Sequence, residues 1–500
     1  MVRGSVRSLF VVIGVISGVL AIGWSLTLAS AVQLLAVTVL TMGGTQHPLI
    51  APDGTYAEDP AFVDDYVDDA IRVYVVPSAA VRGDDPLAEY EGVAVHTPEE
   101  FGPVFGTMTF NDSLDAGLEN LDACVQGSPC VARTVPGDPD TATPPQQFES
   151  PFVVHGYSQS AVIATMEKRR LIERARNGQP VPDVSFVLLA NPNRPNGGVM
   201  QRFDGMHIPM LDVTFNGSTP TDGDFTTVDI ARQYDGWADF PVYPMNMAAT
   251  ANALLGIYYL HGDYWSAGVG TPLKQGAEGD TTYYLIPSER LPLLMPLEQL
   301  GVPSPMLTAL DAPLRVIVEL GYDRDPDHVG TPTRARLIPL VNPITGVTNL
   351  VVAIPTGLDD GAAEAAGDPE FRPFGTAPVT SPYGVGGEEL GEPLAPPQPE
   401  SARTTPSTEA TDPAPADTDE VAEKAADTPP VTPVDRPRTN ILRNLVPPRG
   451  DSSSEAPAQR RPLKRLIDRF TGQREQTQEP AGGAADDAPE SASESDPDAA

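Results

Sequence analysis

The stretch FVVHGYSQSA, Phe152 to Ala161, decides the fold. Three apolar β-formers lead into His-Gly and then Tyr-Ser-Gln-Ser. Helical periodicity follows in SAVIATMEKRRLIERARNG, with basic residues late and Gly178 as a stop. A serine between strand and helix is the setting of a nucleophile elbow, G-x-S-x-G, whose tight turn needs small residues two before and two after the serine. Here the motif is Gly156-Tyr157-Ser158-Gln159-Ser160, with serine replacing the second glycine. Such a turn lifts Ser158 above the C-terminal end of its strand, where open α/β sheets keep their reactive crevice. The helix N-terminus behind it favours developing negative charge. The competing assignment is a serine in an ordinary βα turn.

Working outward, further buried-strand candidates are LLAVTVLTM (Leu34 to Met42), IRVYVV (Ile71 to Val76) and VSFVLLANP (Val184 to Pro192). The segment TTVDIARQYDGWADFPVYP reads as a strand ending in an acid-bearing loop. Continuous apolar runs bounded by Gly or Pro are typical of buried parallel strands. Their alternation with helical patterns predicts an α/β fold, a parallel sheet flanked by helices.

A serine nucleophile needs a base, and the base needs an orienting acid. On α/β-hydrolase scaffolds the chain order is serine, acid, histidine. His47, His96 and His155 precede the serine, and His207 precedes the best acid loop. His261, in GIYYLHGDYW, follows an apolar helical pattern and stands beside Gly262, so it is the preferred base. His328, in the polar turn GYDRDPDHVGTP, is second, and a plain structural histidine is the competing assignment for His261. For the acid, QYDGWADFP offers two residues directly after a strand. Asp239, followed by Phe-Pro-Val, is the first choice and Asp235 the alternative; the unused acid is expected to cap the loop or pair with Arg232. This chemistry requires no metal or organic cofactor.

The chain of 500 residues carries a formal net charge of −36, which argues against a nucleic-acid partner, since such proteins show a basic face. Its first residues hold Arg3 and Arg7, followed by an uncharged apolar stretch from Leu9 to Ala31. That pattern reads as a signal peptide or a retained transmembrane anchor, and either puts the remainder outside the cytoplasm. In that compartment Cys124 and Cys130, in CVQGSPC, are expected to form a disulfide. The expected organisation is a signal or anchor at 1–31, a catalytic domain at 32–345, a transition segment at 346–383 and a tail at 384–500. The tail is rich in Pro, Ala, Glu, Asp, Ser and Thr, a composition expected to be disordered. Within it QRRPLKRLIDRFTGQR, Gln459 to Arg474, is basic and amphipathic; it is either a transient solvated helix or a segment that meets a membrane surface or partner.

Together, VLTMGGTQHP, GYSQSA, SFVLLANPNRPNGG, IARQYDGWADFPVYPMN and ANALLGIYYLHGDY resemble the PE-PPE domain family of mycobacterial and related actinobacterial cell-envelope proteins. The resemblance runs from about Val37 to Pro343, with the signal or anchor standing where relatives carry a PE or PPE module. It implies a cutinase-like α/β serine hydrolase in which a serine at the second small position is ordinary. It also implies an oxyanion hole from backbone N–H groups of Gly44 and Thr45, in the Gly43-Gly44-Thr45 loop, and of Gln159. Relatives with an N-terminal anchor include acyltransferases acting on trehalose glycolipids. The expectation is therefore an exported serine esterase or acyltransferase that acts on acyl-lipid or glycolipid esters at the membrane or cell envelope. The rival expectation is a non-catalytic binding or structural protein that keeps the hydrolase scaffold.

Overall fold

A computed structural model describes residues 36–139, 141–265, 270–338 and 343–394. The signal or anchor segment, the tail beyond residue 394 and its basic stretch at 459–474 lie outside the described residues. Among the described residues no helix is long and apolar enough to cross a membrane.

The strands are β1 (Val37–Thr41), β2 (Tyr90–Val95), β3 (Ala132–Thr134), β4 (Phe152–Tyr157), β5 (Val184–Leu189), β6 (His207–Ile208), β7 (Val213–Thr214), β8 (Thr227–Arg232), β9 (Leu273–Glu278) and β10 (Thr281–Ile286). Eight of them form one sheet in the order β3-β2-β1-β4-β5-β8-β10-β9, and β6 and β7 make a small separate ribbon. The pairs from β2 to β10 are parallel, and β3 and β9 close the edges in antiparallel fashion. The fold is the expected α/β class: a mostly parallel sheet flanked by helices.

Register explains why the strands read as unbroken apolar runs. Val39 pairs with Val153 and Leu40 with Val154 across β1 and β4. Val39, Val153, Val187 and Leu189 pack in one buried cluster, whereas Leu40, Val154, Phe186 and Leu188 pack in another. Alternate residues point to opposite faces, and each face is covered, so no polar alternation survives.

The helices that matter for the site are α1 (Pro60–Asp69), α2 (Phe110–Val125), α3 (Gln159–Arg176), α4 (Met247–Tyr259), α5 (Ser304–Glu319) and α6 (Pro343–Ala366). Two expectations need correction. Ile71 to Val76 is not a strand: α1 continues into a π-helical turn, Ala70–Val75. Asp59 caps the start by accepting from the Ala61 N–H at 2.9 Å, and Pro60 occupies the first helical position. Val63, Tyr66, Val67, Ala70 and Tyr74 are buried, so a helical period running through the segment overrides its β-branched composition.

The second correction concerns the segment read as a transition. Residues 346–383 include most of α6, which packs along α5 with Ala353 buried and Gly357 against Ala309. Gly357 and Gly361 lie against Ala309 and Pro305 of α5 and supply a small face for close helix contact, and Pro355 is accommodated inside the helix. The following arm returns to the sheet edge. Lys274 of β9 donates its N–H to Glu392 O at 3.0 Å, and Leu394 donates to Pro272 O at 2.8 Å. Helix and sheet contacts therefore continue through residue 394, past the expected boundaries at 345 and 384. Cys124, at the end of α2, is joined to Cys130 in a disulfide with Cα atoms 5.2 Å apart.

Candidate active site

β4 ends in Tyr157, and Ser158 takes φ 58° and ψ −114° before α3 begins at Gln159. A side chain rarely adopts that backbone, and its strain is held by the surroundings. Ser158 N–H donates to Leu189 O at 3.1 Å, tying the turn to the end of β5. A Cβ on Gly156 would lie 2.7 Å from Ser160 O and 2.9 Å from the Ala161 Cα, so only glycine fits there. Ser160, by contrast, does more than stay small. Its Oγ accepts from Tyr157 N–H at 2.9 Å and donates to Tyr157 O at 3.1 Å, closing the elbow on itself.

Ser158 Oγ lies 2.7 Å from His261 Nε2. His261 Nδ1 lies 2.9 and 2.8 Å from the two carboxylate oxygens of Asp235. Asp235 is fully buried, and its remaining capacity is filled by Tyr264 OH at 2.8 Å and Trp237 N–H at 3.0 Å. A buried carboxylate so supplied with donors has one fixed direction in which to hold the imidazole. The Tyr157 ring stacks on the His261 ring at 5.7 Å between centroids and 19° between planes, and its hydroxyl donates to His261 O.

The loop after β8 and the helix α4, which leads to His261, are locked to each other. Gly256 of α4 lies against the Tyr234 carbonyl, where a Cβ would be only 1.8 Å from the oxygen. That approach sets His261, five residues farther along α4's exit, over the loop that follows β8.

The structure thus brings Ser158, His261 and Asp235 together and gives Asp239, the first choice for the acid, a different place. Asp239 accepts from Arg324 at 2.7 and 3.1 Å and from Tyr234 N–H at 2.8 Å. It is a buried ion-pair residue, four positions past the acid that faces the base, and its partner is Arg324; Arg232 pairs with Asp263. His328, the second-choice base, sits in an exposed turn with Nδ1 3.0 Å from Asp323.

Gly44, Thr45 and Gln159 line one cavity with Ser158 and His261. Thr45 Oγ1 donates to Gln159 Oε1 at 2.8 Å, and Gln159 Nε2 donates to Glu100 O and Ser113 Oγ at 3.0 Å each. The loop after β1 is therefore tied to the start of α3 through a side chain. The cavity measures about 260 Å³, and much of its wall is aromatic: Phe62, Tyr66, Phe101, Phe105, Phe110 and Trp237. Such a cavity accepts an apolar chain beside a few directed polar groups. Among the described residues no group of three or more His, Cys, Asp or Glu side chains is placed to hold a metal ion.

Sequence reasoning missed the supporting residues Tyr157, Tyr264 and Trp237. Each lies within three residues of Ser158, His261 or Asp235, and that adjacency is the only signal they left.

The sequence profile of the PE-PPE domain matches residues 88–323, which contain the serine, both acids and His261. An esterase of Mycobacterium tuberculosis, PE16, is 35% identical over 74% of this chain and 66% of its own length. The PE family protein PE3 of the same organism is 32% identical over 69% of this chain and 67% of its own. A diacyltrehalose acyltransferase of that organism is 27% identical over 44% of this chain and 62% of its own. The chain thus spans about two thirds or less of each of these relatives. No solved structure matches it. One of these relatives is named an esterase and another an acyltransferase; a domain profile that encloses Ser158, Asp235 and His261, and relatives above 30% identity over most of the chain, make this protein a member of the PE-PPE domain family.

Proposed function

We propose that the protein is an exported serine esterase or acyltransferase that acts on fatty-acyl esters of envelope lipids. The observation that carries this reading is the hydrogen-bonded chain from Ser158 Oγ through His261 to the buried Asp235, with 2.7 and 2.8 Å links. Ser158 Oγ attacks the ester carbonyl carbon while His261 Nε2 takes its proton, and Asp235 stabilises the imidazolium that forms. Charge develops on the carbonyl oxygen beside the Gly44–Thr45 backbone and the Gln159 N–H at the start of α3, which serve as the oxyanion hole. The leaving alcohol departs with the proton from His261, and an acyl ester on Ser158 remains. Water or a sugar hydroxyl then takes the acyl group.

An apolar aromatic cavity next to the serine suits an acyl chain, and the named esterase and acyltransferase relatives support ester chemistry. Treatment with a fluorophosphonate and assay on p-nitrophenyl esters of graded chain length test the reading. The parent protein should label at Ser158 and turn over, and Ser158→Ala should lose about a thousandfold or more of the turnover together with the label. Full labelling of Ser158→Ala would show that another nucleophile is at work. An unlabelled and inactive parent would favour the non-catalytic scaffold.

A further inference from the structure

The cavity over Ser158 has two unlike walls. Phe101, Phe110, Met200 and Trp237 belong to one face of the molecule, where they pack with the buried cluster around α2 and α3. The opposite wall is built by the loop after β1 and by α1, and carries His47, Phe62 and Tyr66. His47 Nδ1 lies 3.2 Å from Glu58 Oε1, and the Phe62 ring stands 5.9 Å from the imidazole. His47 is part of the cavity wall and is not used by the serine, base and acid described above.

An ester substrate also has two unlike halves. The acyl chain has nothing to offer a hydrogen-bonding group, and the first wall suits it. A polyol half carries hydroxyls that lose affinity wherever they are desolvated without partners. An imidazole whose Nδ1 is engaged by a carboxylate has its tautomer fixed, which leaves Nε2 as an acceptor for a hydroxyl. Flanking aromatic rings give apolar surface for the C–H faces of a sugar.

We propose that His47, braced by Glu58 and set beside Phe62, with Tyr66 packed on Phe62 along the same cavity wall, forms the subsite for the alcohol half of the ester and takes a hydroxyl-rich, sugar-like group. The proposal rests on the serine reading above. In acylation the subsite holds the leaving alcohol. In transfer it holds the acceptor, whose hydroxyl oxygen bonds to the acyl carbonyl carbon while its proton passes to His261 Nε2. The bond between that carbon and Ser158 Oγ then breaks, and the proton returns to Ser158. A bound acceptor competes with water for the same acyl-enzyme, so the subsite sets the partition between transfer and hydrolysis.

The test supplies the full chain with a p-nitrophenyl ester as donor and trehalose as acceptor, and quantifies acyl-trehalose against free fatty acid by mass spectrometry. His47→Ala is expected to lower that ratio about tenfold, the effect of losing one useful hydrogen bond, and Glu58→Gln is expected to lower it by a smaller factor. Fluorophosphonate labelling of Ser158 in the same samples reports whether each variant is folded; if His47→Ala fails to label, Glu58→Gln decides. An unchanged ratio in the labelled variants overturns the proposal. So does a parent that labels and hydrolyses yet forms no acyl-trehalose, and that result would leave the serine reading standing. A parent that does not label overturns both.

Discussion

At the scale of single residues, the two acids of QYDGWADFP stand in different surroundings. Asp235 faces His261 and is buried with all its neighbours donating to it. Asp239 is buried against Arg324, which also bonds Glu319 at 2.8 Å. Asp235→Asn should leave the fold intact and lower kcat by roughly 10⁴, as expected when the imidazole loses its correct tautomer. Asp239→Asn should instead destabilise the protein by about 1–3 kcal/mol, because it removes one of the two carboxylates that neutralise the buried Arg324 and leaves Glu319 alone to do so. Ester turnover and urea unfolding of both variants check this, and a kinetic defect confined to Asp239→Asn would reverse the roles. Chain order and flanking periodicity pointed to Ser158 and His261, whose side chains lie 2.7 Å apart. Sequence reasoning preferred Asp239 over Asp235 although both follow the same strand, whereas His261 Nδ1 meets Asp235, on a loop held by the contact between Gly256 and the Tyr234 carbonyl. That contact joins segments that no local pattern connects.

Legibility at the scale of elements followed periodicity. β4, α3, β5 and β8 were visible since each has one unmixed period and a clear stop. Ile71 to Val76 misled because β-branched composition outvoted a helical spacing that had started at Val63. α6 lay in a segment read as a transition, and what makes it a packed helix is the fit of Gly357 and Gly361 against α5, which no local pattern announces. The arm after α6 has consequences of its own. Pro382 O accepts from Gln233 Nε2 and Arg315 Nη1, each at 2.9 Å, and Gln275 donates to Tyr383 OH at 2.7 Å. The arm also occupies the free edge of β9, which would otherwise present unpaired backbone groups. A chain ending at residue 394 keeps this arm and its contacts. One ending at 366 should melt lower and aggregate. Scanning calorimetry with size-exclusion chromatography reads both, and equal melting of the two truncated chains would show that the arm contributes nothing.

For the whole molecule, the dependence of stability on pH is set by buried groups with little compensation. Glu99 and Glu167 are fully buried, and burial raises each from its ordinary 4.5 to about 8; a hydroxyl bond from Thr97 opposes the shift in Glu99, and Asp122 adds to it in Glu167. Burial also lowers His155, on the elbow strand, from 6.5 to about 3. Once pH exceeds 4.5 the unfolded glutamates release protons that the folded ones keep, so the unfolded state binds fewer protons and stability falls until about pH 8. His155 acts at the other end. Below 6.5 the unfolded imidazole takes up a proton that the folded one refuses until about 3, so stability falls as pH is lowered through that window. Where the windows overlap the two glutamates outweigh the single histidine, so stability should crest near the acid end of the overlap, at about pH 4.5. Glu99→Gln keeps an acceptor for the Thr97 hydroxyl, 2.5 Å away in the parent, and cannot ionise. Relative to the parent it should gain stability between about pH 5 and about pH 8.5, flattening the alkaline slope and leaving the acid slope unchanged. Urea unfolding across that range measures the difference directly, and parallel curves for variant and parent would mean that Glu99 ionises in the folded protein as readily as in the unfolded chain.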